Sequence, residues 1–162
     1  MGSRALLTAG IAAGLLVVVL VADSTMNRTY ALDVQVDGAW RTLAEHPYRY
    51  DESRPYVGLN GDLEANRSEE IRFRLRVDNG YPWAMDETFR VYENGDEVAS
   101  GQVAAPAQGE TTAEFTIPAD RILGRNAVSP EGEKFPVGSA NIQVDVDGES
   151  VNAFVSVREV TA

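Results

Sequence analysis

Residues 71–77 read IRFRLRV: Ile71, Phe73, Leu75 and Val77 alternate with Arg72, Arg74 and Arg76. Successive side chains of a β-strand point to opposite faces, so this period of two puts four apolar side chains on one face and three guanidinium groups on the other. The same period recurs on both sides. Upstream, Tyr30, Leu32, Val34 and Val36 interleave with Ala31, Asp33, Gln35 and Asp37. Downstream, Thr88–Glu93 and Asp96–Val103 flank Asn94-Gly95, and Asn141–Val146 and Glu149–Val160 flank Asp147-Gly148. Asn-Gly and Asp-Gly are preferred two-residue hairpin turns, because both positions must adopt positive φ. Between the two hairpins, Thr111–Ile117 alternates again and Pro118 ends the run. Outside the N-terminus only Ala119–Gly124 offers a turn of helix, since no segment carries apolar residues at helical spacing over any substantial length. About seven short strands, joined by turns and not by helices, predict an all-β antiparallel β-sandwich.

The chain has 162 residues, and about 140 remain once the apolar N-terminus is set aside, which is one domain's worth. With 44% hydrophobic and 24% charged residues it has enough apolar surface for a packed core. It has no cysteine, which excludes disulfides, thiolate metal sites and thiol nucleophiles. Its one histidine, His46, precedes Pro47 and reads as a loop residue, because a lone histidine has no second nitrogen or sulfur ligand to complete a transition-metal site. The net charge of -11, from 25 acidic and 14 basic residues, repels nucleic acid. Lys134 is the single lysine. An acidic surface of this kind suits a medium whose salt screens self-repulsion, so a halophilic source is expected; arginine-for-lysine codon bias is the competing explanation.

From Ala5 to Ala22 the sequence ALLTAGIAAGLLVVVLVA carries no charge over 18 residues. At 1.5 Å per residue this covers about 27 Å of helix, close to the hydrocarbon thickness of a bilayer. The reading adopted is a single transmembrane helix over 5–22. A cleaved signal peptide is the alternative, with Ala22-Asp23-Ser24 as its passable site, but the run is longer than the usual apolar region of such peptides. Arg4 and the amino terminus precede the span and Asp23 follows it, so residues 1–4 are expected inside, 23–29 as a linker and 30–162 as an extracytoplasmic domain. Gly10 and Gly14, with Ala9 and Ala13, form a small-residue face on which another helix can pack, although such residues are common in membrane helices anyway. Asn27 and Asn66 head N-x-S/T triplets, candidate glycosylation sites on an external surface.

Three segments carry a family resemblance: SEEIRFRLRVDNG (68–80), FRVYENGDEVASGQV (89–103) and GETTAEFTIP (109–118). Together they resemble the repeat unit of archaeal and bacterial immunoglobulin-like extracellular domains of the CARDB type. The resemblance implies an immunoglobulin-like sandwich in a membrane-anchored, haloarchaeal-like protein. Its motifs are turn chemistry and imply no active site. Tyr81-Pro82-Trp83-Ala84-Met85 departs from the small polar loop usual there, and residues 38–66 have no counterpart.

Those departures supply the candidate contact residues. Trp40, Tyr48, Tyr50 and Tyr56 interleave with Arg41, Arg49 and Arg54 in a stretch read as too irregular for a core strand, and Tyr81, Trp83 and Met85 lie in the loop 79–86. Aromatic residues and arginine dominate interface energetics, so these read as a docking surface; the alternative is that Trp40 and Trp83 plug the open ends of the sandwich. Arg72, Arg74 and Arg76 are expected to pair with carboxylates on neighbouring strands, or else to face an acidic partner. The acidic turns 93–97 and 145–149 lack the spacing of a calcium loop and read as hairpins. No nucleophile-and-base motif, zinc-protease helix, phosphate loop or dinucleotide fingerprint is present, so no catalytic, cofactor-binding or metal-ligating residue is assigned. The function expected is that of a non-catalytic single-pass membrane protein, serving as an accessory or structural subunit of a membrane complex through protein contacts. The alternative is a tethered cell-envelope binding module for a surface layer, a glycan or an archaellum- or pilus-type filament. Partners expected are the membrane and other membrane or envelope proteins, with a homodimer as one option.

Overall fold

The structure is a computed structural model that describes residues 27–46, 63–124 and 137–160. Among the described residues nine strands form in chain order: β1 Arg28–Val36, β2 Ala39–His46, β3 Leu63–Ala65, β4 Glu70–Asn79, β5 Met85–Glu93, β6 Asp96–Ala105, β7 Gly109–Pro118, β8 Val137–Val146 and β9 Glu149–Glu159. A short helix, α1, spans Ala119–Leu123. Sheet I has the order β2-β1-β4-β7 and sheet II the order β3-β9-β8-β5-β6. Every pairing is antiparallel except β3 with β9.

The period-two reading of β4 holds residue by residue. Ile71, Phe73, Leu75 and Val77 are buried, while the arginines between them lie on the outer face. The neighbouring strands obey the same rule: Leu32 and Val34 of β1 and Phe115 and Ile117 of β7 turn inward, as do Val91, Ile142, Val144, Val155 and Val157 from sheet II. Phe73 stacks on Phe115, with ring centroids 5.5 Å apart and planes 10° off parallel, and Phe89 of sheet II closes on Phe115 at 6.3 Å. These rings join the two sheets into one dry core. At the far end α1 inserts Ile122 and Leu123 beneath the sandwich. It packs so tightly on β8 that a Cβ at Gly138 would collide with the Ile122 carbonyl oxygen.

Strands β1, β4 and β7 on one sheet, facing β9, β8, β5 and β6 on the other, make an immunoglobulin-like sandwich of seven strands. Strands β2 and β3 are additions to it. The expectation that the stretch from Trp40 is too irregular for a strand is corrected here over 40–46, because Ala39–His46 pairs with Tyr30–Val36 of β1; the rest of that stretch lies outside the described residues. The turn that allows it is Asp37-Gly38, with φ of 51° and 78°, the same backbone as Asn94-Gly95 (50°, 93°) and Asp147-Gly148 (51°, 79°). Alternation in β2 is interrupted by a bulge: Leu32 faces Ala44 but Asp33 faces Thr42, so Leu43 is the extra residue.

The register fixes the two ends of the sandwich. Arg28, where the described chain enters, pairs with Asn79, and Tyr30 pairs with His46. The loop 80–84, the turn 106–108 and the turn Asp147-Gly148 therefore lie at the entry end. Asp37-Gly38, Asn94-Gly95 and α1 lie at the opposite end. Among the described residues no helix is long and apolar enough to cross a membrane, and the 5–22 segment with Gly10, Gly14, Ala9 and Ala13 lies outside them.

Candidate functional site

The outer face of sheet I is a charge lattice closed on itself. Asp33 of β1 stands opposite Thr42 of β2 and Arg74 of β4. Its carboxylate accepts two hydrogen bonds from Arg74, Nε at 2.9 Å and Nη2 at 2.6 Å, and one from the Thr42 hydroxyl at 2.8 Å. Arg76 approaches the same carboxylate to 3.6 Å and Glu45 to 3.7 Å, and Arg72 pairs with Glu114 at 2.7 Å. Trp40 caps the lattice, its ring 4.5 Å from the guanidinium carbon of Arg74, which leaves Asp33 1% exposed although it points away from the core. The three arginines thus find carboxylates on neighbouring strands, as the alternation suggested. Trp40 neither plugs an end of the sandwich nor stands free; it covers a buried ion pair on the outside of the sheet.

At the entry end a second unit is built around Asn79, which is fully buried. Its side-chain NH2 donates to the carbonyls of Trp83 (2.8 Å) and Pro106 (3.0 Å), and its side-chain oxygen accepts the Tyr81 N–H at 3.3 Å. Two backbone bonds of 2.9 Å complete the frame, Gln108 N–H to Tyr81 O and Gly80 N–H to Asn27 O. With Gly80 N–H, both backbone groups of Tyr81 and the Trp83 carbonyl held in this frame, Trp83 is left 55% exposed, its ring resting on Tyr81 at 5.0 Å. Arg28 lies over the other ring, 5.2 Å from the Tyr81 centroid, and ion-pairs with Asp147. Tyr30 lies beneath Arg28; burial pushes its phenol above the ordinary tyrosine value, and the hydrogen bond and charge of Arg28 oppose that rise. Met85 is corrected from this surface, because it opens β5, is 3% exposed and belongs to the core.

The outer face of sheet II differs from that of sheet I. Phe154, in the middle of β9, is 63% exposed, more than any other large apolar residue described. Its cross-strand neighbour is Asn141, and around the pair lie Ser139, Gln143, Asn152, Ser156 and Tyr92. The ionised groups stand at the margins: Asp145 takes hydrogen bonds from Gln143 and Ser150, both at 2.7 Å, and Arg90 is held above its ordinary value by the Tyr92 hydroxyl first and by nearby negative charge second. Sequence reading passed over Phe154, although the signal was available. Val151, Ala153, Val155 and Val157 set the inward phase of β9, and Phe154 is the aromatic residue on the outward phase.

His46 ends β2 and meets Glu149 at 2.8 Å, which ties β2 to β9 across the sheets. Asn27 is exposed, whereas the Asn66 side-chain oxygen is engaged by the backbone N–H and the hydroxyl of Ser68, at 3.2 and 3.1 Å. Tyr48, Tyr50 and Tyr56 lie outside the described residues. Among the described residues no three His, Asp or Glu side chains converge as a cation site. The buried Glu93 instead receives Nε and Nη2 of Arg121 at 3.2 and 3.1 Å and the Asn94 amide at 2.7 Å, pinning α1 to the end of β5.

No protein-family model matches the chain, and no curated protein matches it. Solved structures do. A β-glucosidase from Listeria innocua is similar at 20% identity and a TM-score of 0.42 over 59% of this chain, and a β-glucosidase from Erythrobacter marinus at 11% identity and 0.43 over 60%. This chain spans 14% of each of those enzymes. The CARDB domain of a Pyrococcus furiosus protein, solved in complex with di-metal ions, is similar at 16% identity and 0.43 over 62% of this chain and 87% of that domain. The immunoglobulin-like assignment rests on the sheet order of the structure itself.

Proposed function

We propose that the chain is a non-catalytic, single-pass membrane protein of a halophilic archaeal cell, and that its extracytoplasmic sandwich is an accessory subunit of a membrane protein complex. The observation that carries the reading is the Phe154 face. A chain of net charge -11 leaves the centre of one sheet uncharged around a 63% exposed aromatic residue, while on the other sheet Arg72, Arg74 and Arg76 are paired with carboxylates of neighbouring strands. Depletion of charge around an exposed aromatic anchor is the compositional mark of an interface core. The distance to the proposed span supports a subunit over a reaching tether. Four residues, Asp23–Met26, separate Ala22 from Asn27, so the entry end lies within about 18 Å of where the span ends. A second reading follows from the same face, because Asn141, Gln143 and Asn152 beside two aromatic rings also suit the hydroxyls of an envelope glycan, as a tethered binding module would require.

A photo-crosslinking residue at position 154, in the full chain in its native membrane, tests the choice, with position 116 on the outer face of sheet I as control. A discrete adduct with an integral membrane protein from 154 and none from 116 is expected. Adducts with glycan alone would favour the second reading, and equal labelling from both positions would remove the interface from this face.

A further inference from the structure

The Phe154 face does not account for the exposed Trp83 unit at the entry end, which is built as firmly as any part of the fold. Two sequence segments meet there, and neither carries a charge: Asn79–Met85 and Ala104–Gly109. In a chain with 24% charged residues and a net charge of -11, two neighbouring neutral segments mark one tip as different from the rest of the surface. Pro82, Trp83, Ala84, Pro106 and Ala107 are all exposed there. The tip is locked, with the Asn79 amide bridging Trp83 O and Pro106 O, and it is tied to the chain's entry by Gly80 N–H to Asn27 O at 2.9 Å.

The geometry points to a lipid bilayer interface as the occupant of this tip: the Trp83 ring and its proline and alanine neighbours seat in the headgroup–acyl boundary and hold the sandwich end-on to the membrane. This rests on the proposed span at 5–22. Given that span, the five steps from Ala22 to Asn27 cannot carry Asn27 further than about 18 Å from the hydrocarbon edge, so the end that faces the bilayer is the end that bears the tip. Tryptophan is enriched at this depth because its ring is largely apolar while its N–H keeps a polar partner. Arg28, over Tyr81 at the rim, places a cation at headgroup level and neutralises Asp147. Asp78, Asp86 and Glu110, exposed at the adjoining strand ends, keep the seat shallow, because their carboxylates stay in water. End-on seating leaves the outer faces of both sheets, Phe154 included, free to meet a neighbouring protein.

The full chain with Trp40→Phe has Trp83 as its single tryptophan. Reconstituted alone into phosphatidylcholine vesicles containing lipid with brominated acyl chains, it should show a blue-shifted Trp83 emission quenched about twofold or more. The complementary Trp83→Phe chain reports Trp40, which pairs with Gln35 near the opposite end and should stay unquenched. Because the chain lacks cysteine, a nitroxide on Ala84→Cys gives an independent depth reading should Trp40→Phe fold poorly. A Trp83 that emits as in water, or one shielded but untouched by the bromolipid, on a chain that survives an alkaline wash with the vesicles, overturns the inference and leaves the membrane anchor standing. A chain stripped by that wash removes the anchor and the inference together.

Discussion

Arg74→Met and Asp33→Asn delete the two sides of one ion pair, and the structure makes their costs unequal. Arg74→Met takes two hydrogen bonds, at 2.9 and 2.6 Å, from a carboxylate that is 1% exposed. Stripping one partner from a buried pair costs about 3–5 kcal/mol, because the remaining charge stays out of water without compensation. Here the Thr42 hydroxyl at 2.8 Å and Arg76 at 3.6 Å remain, which sets the loss near the lower bound, about 3 kcal/mol. Loss of the Trp40 stack on Arg74 adds about 0.5–1 kcal/mol. Asp33→Asn strands only guanidinium groups on side chains 23% and 29% exposed, and these can turn to water. Its cost is that of weakened charge-assisted hydrogen bonds, about 1.5–2 kcal/mol. The double variant should fall short of the sum by about 2 kcal/mol, since the buried charge that makes the first change expensive is gone. Urea unfolding of the full chain in detergent, followed by circular dichroism, measures all three at constant m-value. An Asp33→Asn loss equal to that of Arg74→Met, or additivity within about 0.5 kcal/mol, refutes the reasoning.

Phe73→Ala removes a fully buried ring stacked on Phe115 and should cost about 3–5 kcal/mol in the same assay; a loss below about 1 kcal/mol would contradict the face assignment of β4. Asn79→Ala leaves two carbonyls and one N–H of the entry-end loop without their partner, for about 2–3 kcal/mol, and should open residues 80–84 to limited proteolysis; an uncut loop argues against Asn79 as its clamp. Because burial raises the Tyr30 phenol above its unfolded value, the fold favours the neutral form. The stability this contributes is therefore present below about pH 10 and is lost as pH rises through the higher folded value. Phenolate absorbance should show a late component that Tyr30→Phe abolishes, and an unchanged titration would remove the effect.

Much of the sandwich is readable from sequence wherever one strand has one wet and one dry face: β4, β7 and the two hairpins at Asn94-Gly95 and Asp147-Gly148 emerge from alternation and turn chemistry alone. Strand β2 does not, although Asp37-Gly38 carries the same turn signal, because the bulge at Leu43 reverses the alternation halfway and an edge strand has little inward face to reveal it. Strand β3 is three residues of parallel pairing, too short for any period. Asp33 sits on the polar phase of β1 and reads as solvated; its burial comes from Arg74, Arg76 and Trp40 closing over it, which is tertiary information. Of the candidate contact residues, Trp83 stands exposed at the entry end as a loop aromatic can, whereas Met85 belongs to the core because β5 begins at it and not at Thr88. Phe154 was legible in the outward phase of β9, where an aromatic interrupts a series of serine and asparagine.

We propose that the sandwich serves a membrane complex through the Phe154 face. Gentle detergent extraction of the tagged full chain from its native membrane, followed by intact mass determination, tests it directly. An integral membrane protein bound at fixed ratio is expected, lost in Phe154→Arg while the variant remains folded and membrane-bound. A chain that emerges alone, as a homodimer or with envelope components only, or a complex indifferent to Phe154→Arg, would contradict it.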